Sequence, residues 1–171
     1  MLTRRALPAV LAAAAVELGA LRSARALPSG ELFTLGRNKN ANVVKYAVRT
    51  ARNGRLDAAN PVAAYWLMLA EDGRREDLTW TERQLAYGFS VSAVTSDGCL
   101  LRLTACPERT VRVRGANGAY RAELAIARQP AFLRRIFVQT DNGALIPSVR
   151  YVEISGFTAG GQALTERITP R

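Results

Sequence analysis

The sequence predicts a mainly β fold, an antiparallel barrel or sandwich of about eight strands with one short α-helix at about residues 79–88. Two observations predict it. Apolar side chains recur at every second position along much of the chain, as they do in strands that bury one face. Asn-Gly and Asp-Gly turn signals separate these segments at spacings near ten residues, which is typical of all-β domains built from hairpins.

The first strands are predicted before residue 71. Valines and a tyrosine alternate with polar residues over 42–49, which indicates a half-buried strand. The Asn-Gly pair at 53–54 follows as a hairpin turn, because it tolerates the positive φ that tight turns need. Residues 63–70 are apolar on both faces, so a buried strand and a short helix both remain open. The two aromatic residues in that segment favour the strand.

One helix is predicted, over residues 79–88. Thr79 and Glu82 have the spacing of a capping box, in which the hydroxyl accepts from the N3 amide and the carboxylate accepts from the N-cap amide. Gly88 is expected to end the helix in the left-handed conformation. At about two and a half turns the helix is too short to be stable alone, so packing must hold it.

Beyond residue 88 the pattern predicts a meander of strands joined by hairpin turns. Turn signals stand at Asp97-Gly98, at Asn117-Gly118 and at Asp141-Asn-Gly143. The predicted strands are 89–93, 99–105, 110–114, 120–126, 132–140 and 147–157.

The two cysteines are predicted to be free and buried. Cys99 and Cys106 fall on one apparent strand, where seven steps of about 3.3 Å put them roughly 23 Å apart on opposite faces. A disulfide needs Cα atoms within about 7 Å, so no bridge is expected unless a turn breaks the segment.

Residues 1–26 predict a cleaved signal peptide. Arg4 and Arg5 precede a weakly apolar run, and Ala24-Arg25-Ala26 fits a signal peptidase site. The arginine pair favours a twin-arginine signal over a general secretory one. A membrane anchor is disfavoured, because the run is short and contains Glu17. We therefore expect a linker at 27–31 and a single β-rich domain at 32–171, located in the periplasm or secreted.

The chain is basic, with a net charge of +10, of which the predicted signal peptide contributes three units. Nucleic-acid binding is not expected, because no recognition helix, zinc module or aromatic platform accompanies the charge. Arginine outnumbers lysine 22 to 2, which indicates a compositional bias of the whole chain. Residues 99–171 alone carry a net +6. That half could form a basic contact face for an envelope component, although a solubilising surface is the favoured interpretation.

The motif Gly36-Arg-Asn-Lys-Asn-Ala-Asn-Val-Val-Lys-Tyr46, followed by Asn60-Pro61, Tyr65-Trp66 and Ala86-Tyr-Gly88, resembles a bacterial domain-of-unknown-function family, number 4833. The resemblance covers roughly residues 32–157 and is most specific in its first block. It implies a single exported domain. Because the family has no assigned activity, the resemblance carries over no catalytic or binding residue.

The chain has few side chains that are suited to catalysis. The chain has no histidine, which excludes Ser-His-Asp and Cys-His catalysis and most zinc sites. It has no Gly-rich phosphate loop and no dinucleotide motif. Acid–base chemistry by carboxylates or tyrosines remains an alternative function. The acids at 71–82 are interpreted as a solvated turn, since their spacing matches no calcium loop. No metal and no cofactor are predicted.

The strongest candidate site stands at the entrance to the first predicted strand. Three asparagines and two cations there offer converging hydrogen-bond donors for a carboxylate, a phosphate or a sugar. Both lysines of the chain fall in this stretch, although asparagines also stabilise turns locally. The candidate ligand-binding residues are Arg37, Asn38, Lys39, Asn40, Asn42 and Lys45.

Four aromatic residues are interpreted as core residues that anchor the helix on the sheet, rather than as a sugar or lipid pocket. They are Tyr65, Trp66, Trp80 and Tyr87. The sequence thus favours a binding or envelope-interaction module for a small anionic or polar ligand. An enzyme and a structural envelope protein with a basic contact face are the alternatives. No stable membrane span is expected after cleavage, and the oligomeric state stays open.

Overall fold

The strands and the helical segment lie between residues 31 and 168. A computed structural model describes residues 30–38, 40–116, 119–141 and 148–169. One helical segment interrupts the strands, with an α-helix α1 at Trp80–Glu82 and a π-helical turn at Arg83–Tyr87. The strands are β1 Glu31–Arg37, β2 Val43–Val48, β3 Val62–Met68, β4 Arg74–Asp77, β5 Phe89–Thr95, β6 Gly98–Leu103, β7 Cys106–Ala116, β8 Ala119–Ile126, β9 Gln129–Asp141, β10 Ser148–Phe157 and β11 Ala163–Ile168.

All eleven strands belong to one sheet. Nine follow the order β4-β3-β2-β1-β9-β8-β7-β6-β5, and β10 and β11 continue from β9. Within the described residues β4 and β5 do not pair, so the sheet is not closed. The predicted fold class, mainly β with one short helix, is confirmed. The sheet has more strands than the eight predicted, and β1 pairs with β9 in parallel, which the antiparallel prediction did not include.

Strand β9 is the only described strand that pairs with three others, namely β1, β8 and β10. Its residues 129–132 pair with β8, and residues 135–138 pair in parallel with β1. Strand β10 pairs with β9 over residues 132–141. Because β1 and β10 bond to the same stretch of β9, they lie on its opposite edges. The register of β9 shifts between Leu133 and Arg135, an irregularity of the kind that bends a strand.

The core lies on the face that alternate side chains of these strands share. Val44 and Tyr46 are fully buried on β2, as the sequence predicted, and the ring of Tyr46 stacks on Phe33 with centroids 4.4 Å apart. The Tyr46 hydroxyl donates to the carbonyl of Tyr87 at 2.8 Å. Burial raises the pKa of Tyr46 and Tyr87 acts in the same direction, so the hydroxyl stays protonated as a donor.

The helical segment differs from its prediction after the first turn. Thr79 is the N-cap and the capping box with Glu82 is present, so that prediction is confirmed. The predicted α-helix over 79–88 continues only as a π-helical turn. The predicted left-handed stop is wrong, because Gly88 has φ −73°. Glycine is needed for space instead: a Cβ there would lie 1.9 Å from the carbonyl oxygen of Arg83.

The two cysteines lie on different strands. The prediction of one strand over this segment is wrong, because a turn at 104–105 separates β6 from β7. Cys99 pairs with Val113 and Cys106 pairs with Leu103, so four residues of β6, or about 13 Å, still separate them along the hairpin. Both thiols are free and buried, as predicted.

Three strands have no counterpart in the prediction. Strand β1 begins at Glu31, the last residue of the predicted linker. Strands β4 and β11 are short and bury few side chains, so they lack a clear alternation of apolar residues. Residues 63–70, for which the sequence predicts a buried strand or a short helix, belong to strand β3 as far as Met68, and the strand begins one residue earlier at Val62.

Several predictions fall outside the described residues. They include the signal peptide at 1–26 and the turns at 117–118 and 142–143. In the part of the chain that the structure describes, no helix has the length and apolar character needed to cross a membrane.

Candidate functional site

The residues predicted as a ligand site are not gathered at one place. Arg37 ends β1 on the core face, where its Nη1 donates to the hydroxyl of Tyr87 at 3.3 Å. Lys45 lies on the opposite face of β2, since both of its chain neighbours are fully buried in the core. Lys39 lies outside the described residues. The two described cations of the motif therefore point to different sides of the sheet.

Asn38 connects β1 to a strand that is distant in sequence. Its Oδ1 accepts from the backbone nitrogen and the hydroxyl of Thr140, at 2.8 and 2.9 Å, and its Nδ2 donates to the carbonyl of the same residue at 2.9 Å. Thr140 is buried at the end of β9. This side chain therefore stabilises the junction of β1 and β9.

Asn40 and Asn42 accept hydrogen bonds from nearby backbone. Oδ1 of Asn40 accepts from the nitrogen of Asn42 at 2.9 Å, a local turn contact. Oδ1 of Asn42 accepts from the nitrogen of Ala70 at 3.2 Å, which joins the end of the β1–β2 connection to the turn between β3 and β4. Neither side-chain amide donates a hydrogen bond to a described residue, and neither asparagine lines the cleft described next.

Lys45 lines a wide cleft, which we call the β2–β3 cleft. It has a volume of about 1120 Å³ and is lined by both faces of β2 and β3, by the 58–61 segment and by β5. In its wall Lys45 Nζ lies 2.6 Å from the carboxylate of Glu31, and these side chains are 19% and 9% exposed. Among the described residues this pair uses one of the three donors of the ammonium group, which leaves two for a ligand.

Lys45 belongs to a row of three side chains, which it forms with Tyr65 and Arg75. Tyr65 lies directly opposite Lys45 in the register of β2 and β3. The guanidinium of Arg75, from β4, stacks over the Tyr65 ring at 4.4 Å from its centroid. Sequence reasoning missed Arg75 because β4 has no apolar alternation. The interpretation of Tyr65 as a core residue is also wrong, since it is half-buried on the outer face.

The cleft has more cations than acids left to pair with them. Of its three acids, Glu31 is paired with Lys45 and Glu76 is paired with Arg74 at 2.7 Å. The third, Asp77, is exposed and forms no ion pair with any described residue. Arg49 and Arg75 are exposed, and neither forms an ion pair with any residue in the described ranges.

Of the four aromatic residues predicted to anchor the helix on the sheet, Trp66 and Tyr87 do so. The rings of Trp66 and Tyr87 meet edge to face at 4.9 Å, and the Trp66 indole donates to Glu82 at 3.0 Å. Trp80, by contrast, is 75% exposed, so its prediction as a core residue is wrong.

Two carboxylates have shifted pKa values, and both are hydrogen-bonded acceptors. Burial alone raises the pKa of Glu82, but hydrogen bonds from Thr79 and Trp66 outweigh it and the pKa is lowered. Glu166 behaves in the same way, with Ala127 and Arg109 as its donors. Both carboxylates stay ionised at neutral pH and hold parts of the fold together.

The acids at 71–77 lie on and around the turn between β3 and β4. Asp72 and Gly73 have positive φ values of 56° and 73°, which fits the predicted turn. Arg74 bridges Glu71 and Glu76 at 2.6 and 2.7 Å. Among the residues that the structure describes, no three acids or cysteines come together in a way that could hold a metal ion.

The described arginines of the second half are exposed or half-buried, and they form several kinds of contact. Arg121 stacks on Phe132 at 4.8 Å and Arg135 stacks on Phe137 at 4.9 Å. Arg109 instead forms an ion pair with Glu166 at 2.5 Å.

The fold and the cleft together define the class of protein. It is a small, mainly antiparallel β domain with a polar cleft beside strands β2 and β3. Within that class the chain belongs to the family described as a domain of unknown function, DUF4833, whose family model matches residues 33–167. The resemblance inferred from the sequence motifs is thereby confirmed. No curated protein and no solved structure shows significant similarity to the chain.

Proposed function

We propose that the chain is an exported binding module, periplasmic or secreted, that holds a small anionic or polar ligand in the β2–β3 cleft. One observation carries the proposal: among the described residues this cleft has three arginines without an ion-pair partner, while two of its three acids are already paired and only Asp77 is left. A ligand that bears a carboxylate or phosphate would supply the missing negative charge.

The residues around Lys45 fit such a ligand. Arg75 is held over Tyr65, so its guanidinium is oriented before a ligand arrives and less conformational entropy is lost on binding. Lys45 is fixed by Glu31 and can donate further hydrogen bonds from the cleft wall. The proposal moves the predicted site from the turn at 37–42 to the outer face of β2, β3 and β4, and retains Lys45 from the predicted set.

A ligand retained from the host provides the first test. Native mass spectrometry of the protein purified from its own host is expected to show an added small mass that is lost on denaturation. N-terminal sequencing of the same sample tests export, since cleavage after Ala26 is expected.

Calorimetric titration with inorganic phosphate, citrate and glucose provides the second test. We expect Arg75→Gln to weaken binding of the anionic probes about tenfold, the effect of one charge-assisted hydrogen bond. Arg135→Gln is the matched control, because Arg135 also stacks on an aromatic ring but lies outside the cleft. Equal affinities of the two variants would contradict the proposed site. No retained mass, together with no response to any probe, would overturn the proposed function.

A further inference from the structure

The two most exposed large apolar side chains in the described part of the chain lie on the same helical segment. Trp80 is 75% exposed and Leu85 is 76% exposed. Single apolar residues are common on protein surfaces, but a tryptophan leaves an unusually large apolar area in water. Two such residues within six positions expose an apolar surface whose contact with water is unfavourable.

The fold does not need these two side chains to hold the segment. Glu82 accepts the Trp66 hydrogen bond, and Tyr87 is buried against the same indole. Ala86 packs against the core from the same side. Trp80 and Leu85 therefore lie on the solvent side of a segment whose inner side is already packed.

A basic groove borders this segment. It has a volume of about 480 Å³ and is lined by residues of the π-helical turn, of β5 and β6, and of β7 with the turn before it. Its lining includes Arg83 and Arg102 and no acidic residue. Arg102 is exposed and has neither an ion pair nor a side-chain hydrogen bond among the described residues.

We propose that the helical segment docks on the surface of an anionic lipid bilayer, with Trp80 and Leu85 entering the interface and Arg102 contacting lipid phosphates. Tryptophan prefers the interface between the bilayer and water, because its ring is apolar while its N–H still reaches water. Apolar anchors beside cations are what a peripheral segment needs to bind anionic lipid. The proposal does not depend on the ligand of the β2–β3 cleft.

Vesicle binding tests the proposal. The protein purified from its host is sedimented with phosphatidylcholine vesicles that contain or lack phosphatidylglycerol. We expect binding to the anionic vesicles, a blue shift of tryptophan emission and weaker binding at high salt. Leu85→Ser keeps both tryptophans as reporters and is expected to lower affinity at least about tenfold, the effect of burying one leucine. Arg102→Gln is expected to reduce the preference for anionic over neutral vesicles.

The matched control is Leu69→Ser. Leu69 is 54% exposed but follows β3 at the far end of the β3–β4 hairpin, so its loss should leave vesicle binding unchanged. Because residues 1–26 are basic, variants are compared only with wild-type protein of the same N-terminus. Equal binding of Leu85→Ser and wild type, or equal binding to both kinds of vesicle, would overturn the proposal. So would a lipid-free dimer that Leu85→Ser dissociates, since a second copy would then cover the surface.

Discussion

The indole nitrogen of Trp66 donates to Oε1 of Glu82 at 3.0 Å, while Oε2 of the same carboxylate accepts from the backbone nitrogen of Thr79 at 2.8 Å. One carboxylate thus caps the helical segment and ties it to strand β3. The connection from β4 to β5 is fixed at its first turn by a charged group rather than by apolar packing.

The charge of Glu82 should stabilise the protein in a pH-dependent way. Its pKa is lowered in the folded state from the ordinary value of 4.5, so its contribution is complete above that value and is lost as the pH falls through the folded pKa. We expect Glu82→Gln to reduce the free energy of unfolding by about 1 kcal/mol at neutral pH. Urea denaturation over a pH series measures this. The difference from wild type should shrink below pH 4.5, and a constant difference would contradict the assignment.

Asn38 should contribute more to stability than the neighbouring asparagine at position 40. Asn38→Ala removes three hydrogen bonds to a buried threonine, so we expect a loss of about 2–3 kcal/mol in the free energy of unfolding. Asn40→Ala removes one exposed turn contact and should cost less than about 1 kcal/mol. Denaturant titration of the two variants compares them. Similar losses would mean that the junction of β1 and β9 does not depend on Asn38.

Both thiols should resist alkylation in the folded protein. Burial raises the pKa of Cys106 to about 12, and the carboxylate of Glu108, which accepts from its Sγ at 3.3 Å, acts in the same direction. Burial also raises the pKa of Cys99. Because the thiolate is the nucleophile, iodoacetamide should label neither residue until the protein is denatured, and then both. Mass spectrometry counts the labels, and rapid labelling of the folded protein would be evidence against buried thiols.

The sequence predicts those parts of the fold in which one face of a strand is buried. Val111 and Val113 are buried while Arg112 and Arg114 are exposed, so their alternation places β7 correctly. Strand β4 bears charged side chains on both faces, and no periodicity could reveal it. The parallel pairing of β1 with β9 depends on packing between distant segments, which local patterns do not encode.

The candidate site was predictable only in part, for a related reason. The two lysines of the chain stand within seven residues, which predicts Lys45 as a site residue, and Lys45 lines the β2–β3 cleft. Its neighbours Tyr65 and Arg75 come from two later strands, and the register of β2, β3 and β4 brings them together. The asparagines that made the motif conspicuous form hydrogen bonds within the fold instead.

The parallel pairing of β1 with β9 also affects the order in which the chain can fold during synthesis. Thr34 lies beside Arg135, so about a hundred residues must be made before β1 gains its second neighbour. Strands β1 to β4 can form hairpins earlier, but one edge of β1 then remains open. Because strands β9 to β11 lie between residues 129 and 168, the sheet can be completed only after these residues have left the ribosome. Pairing between such distant segments is also slow.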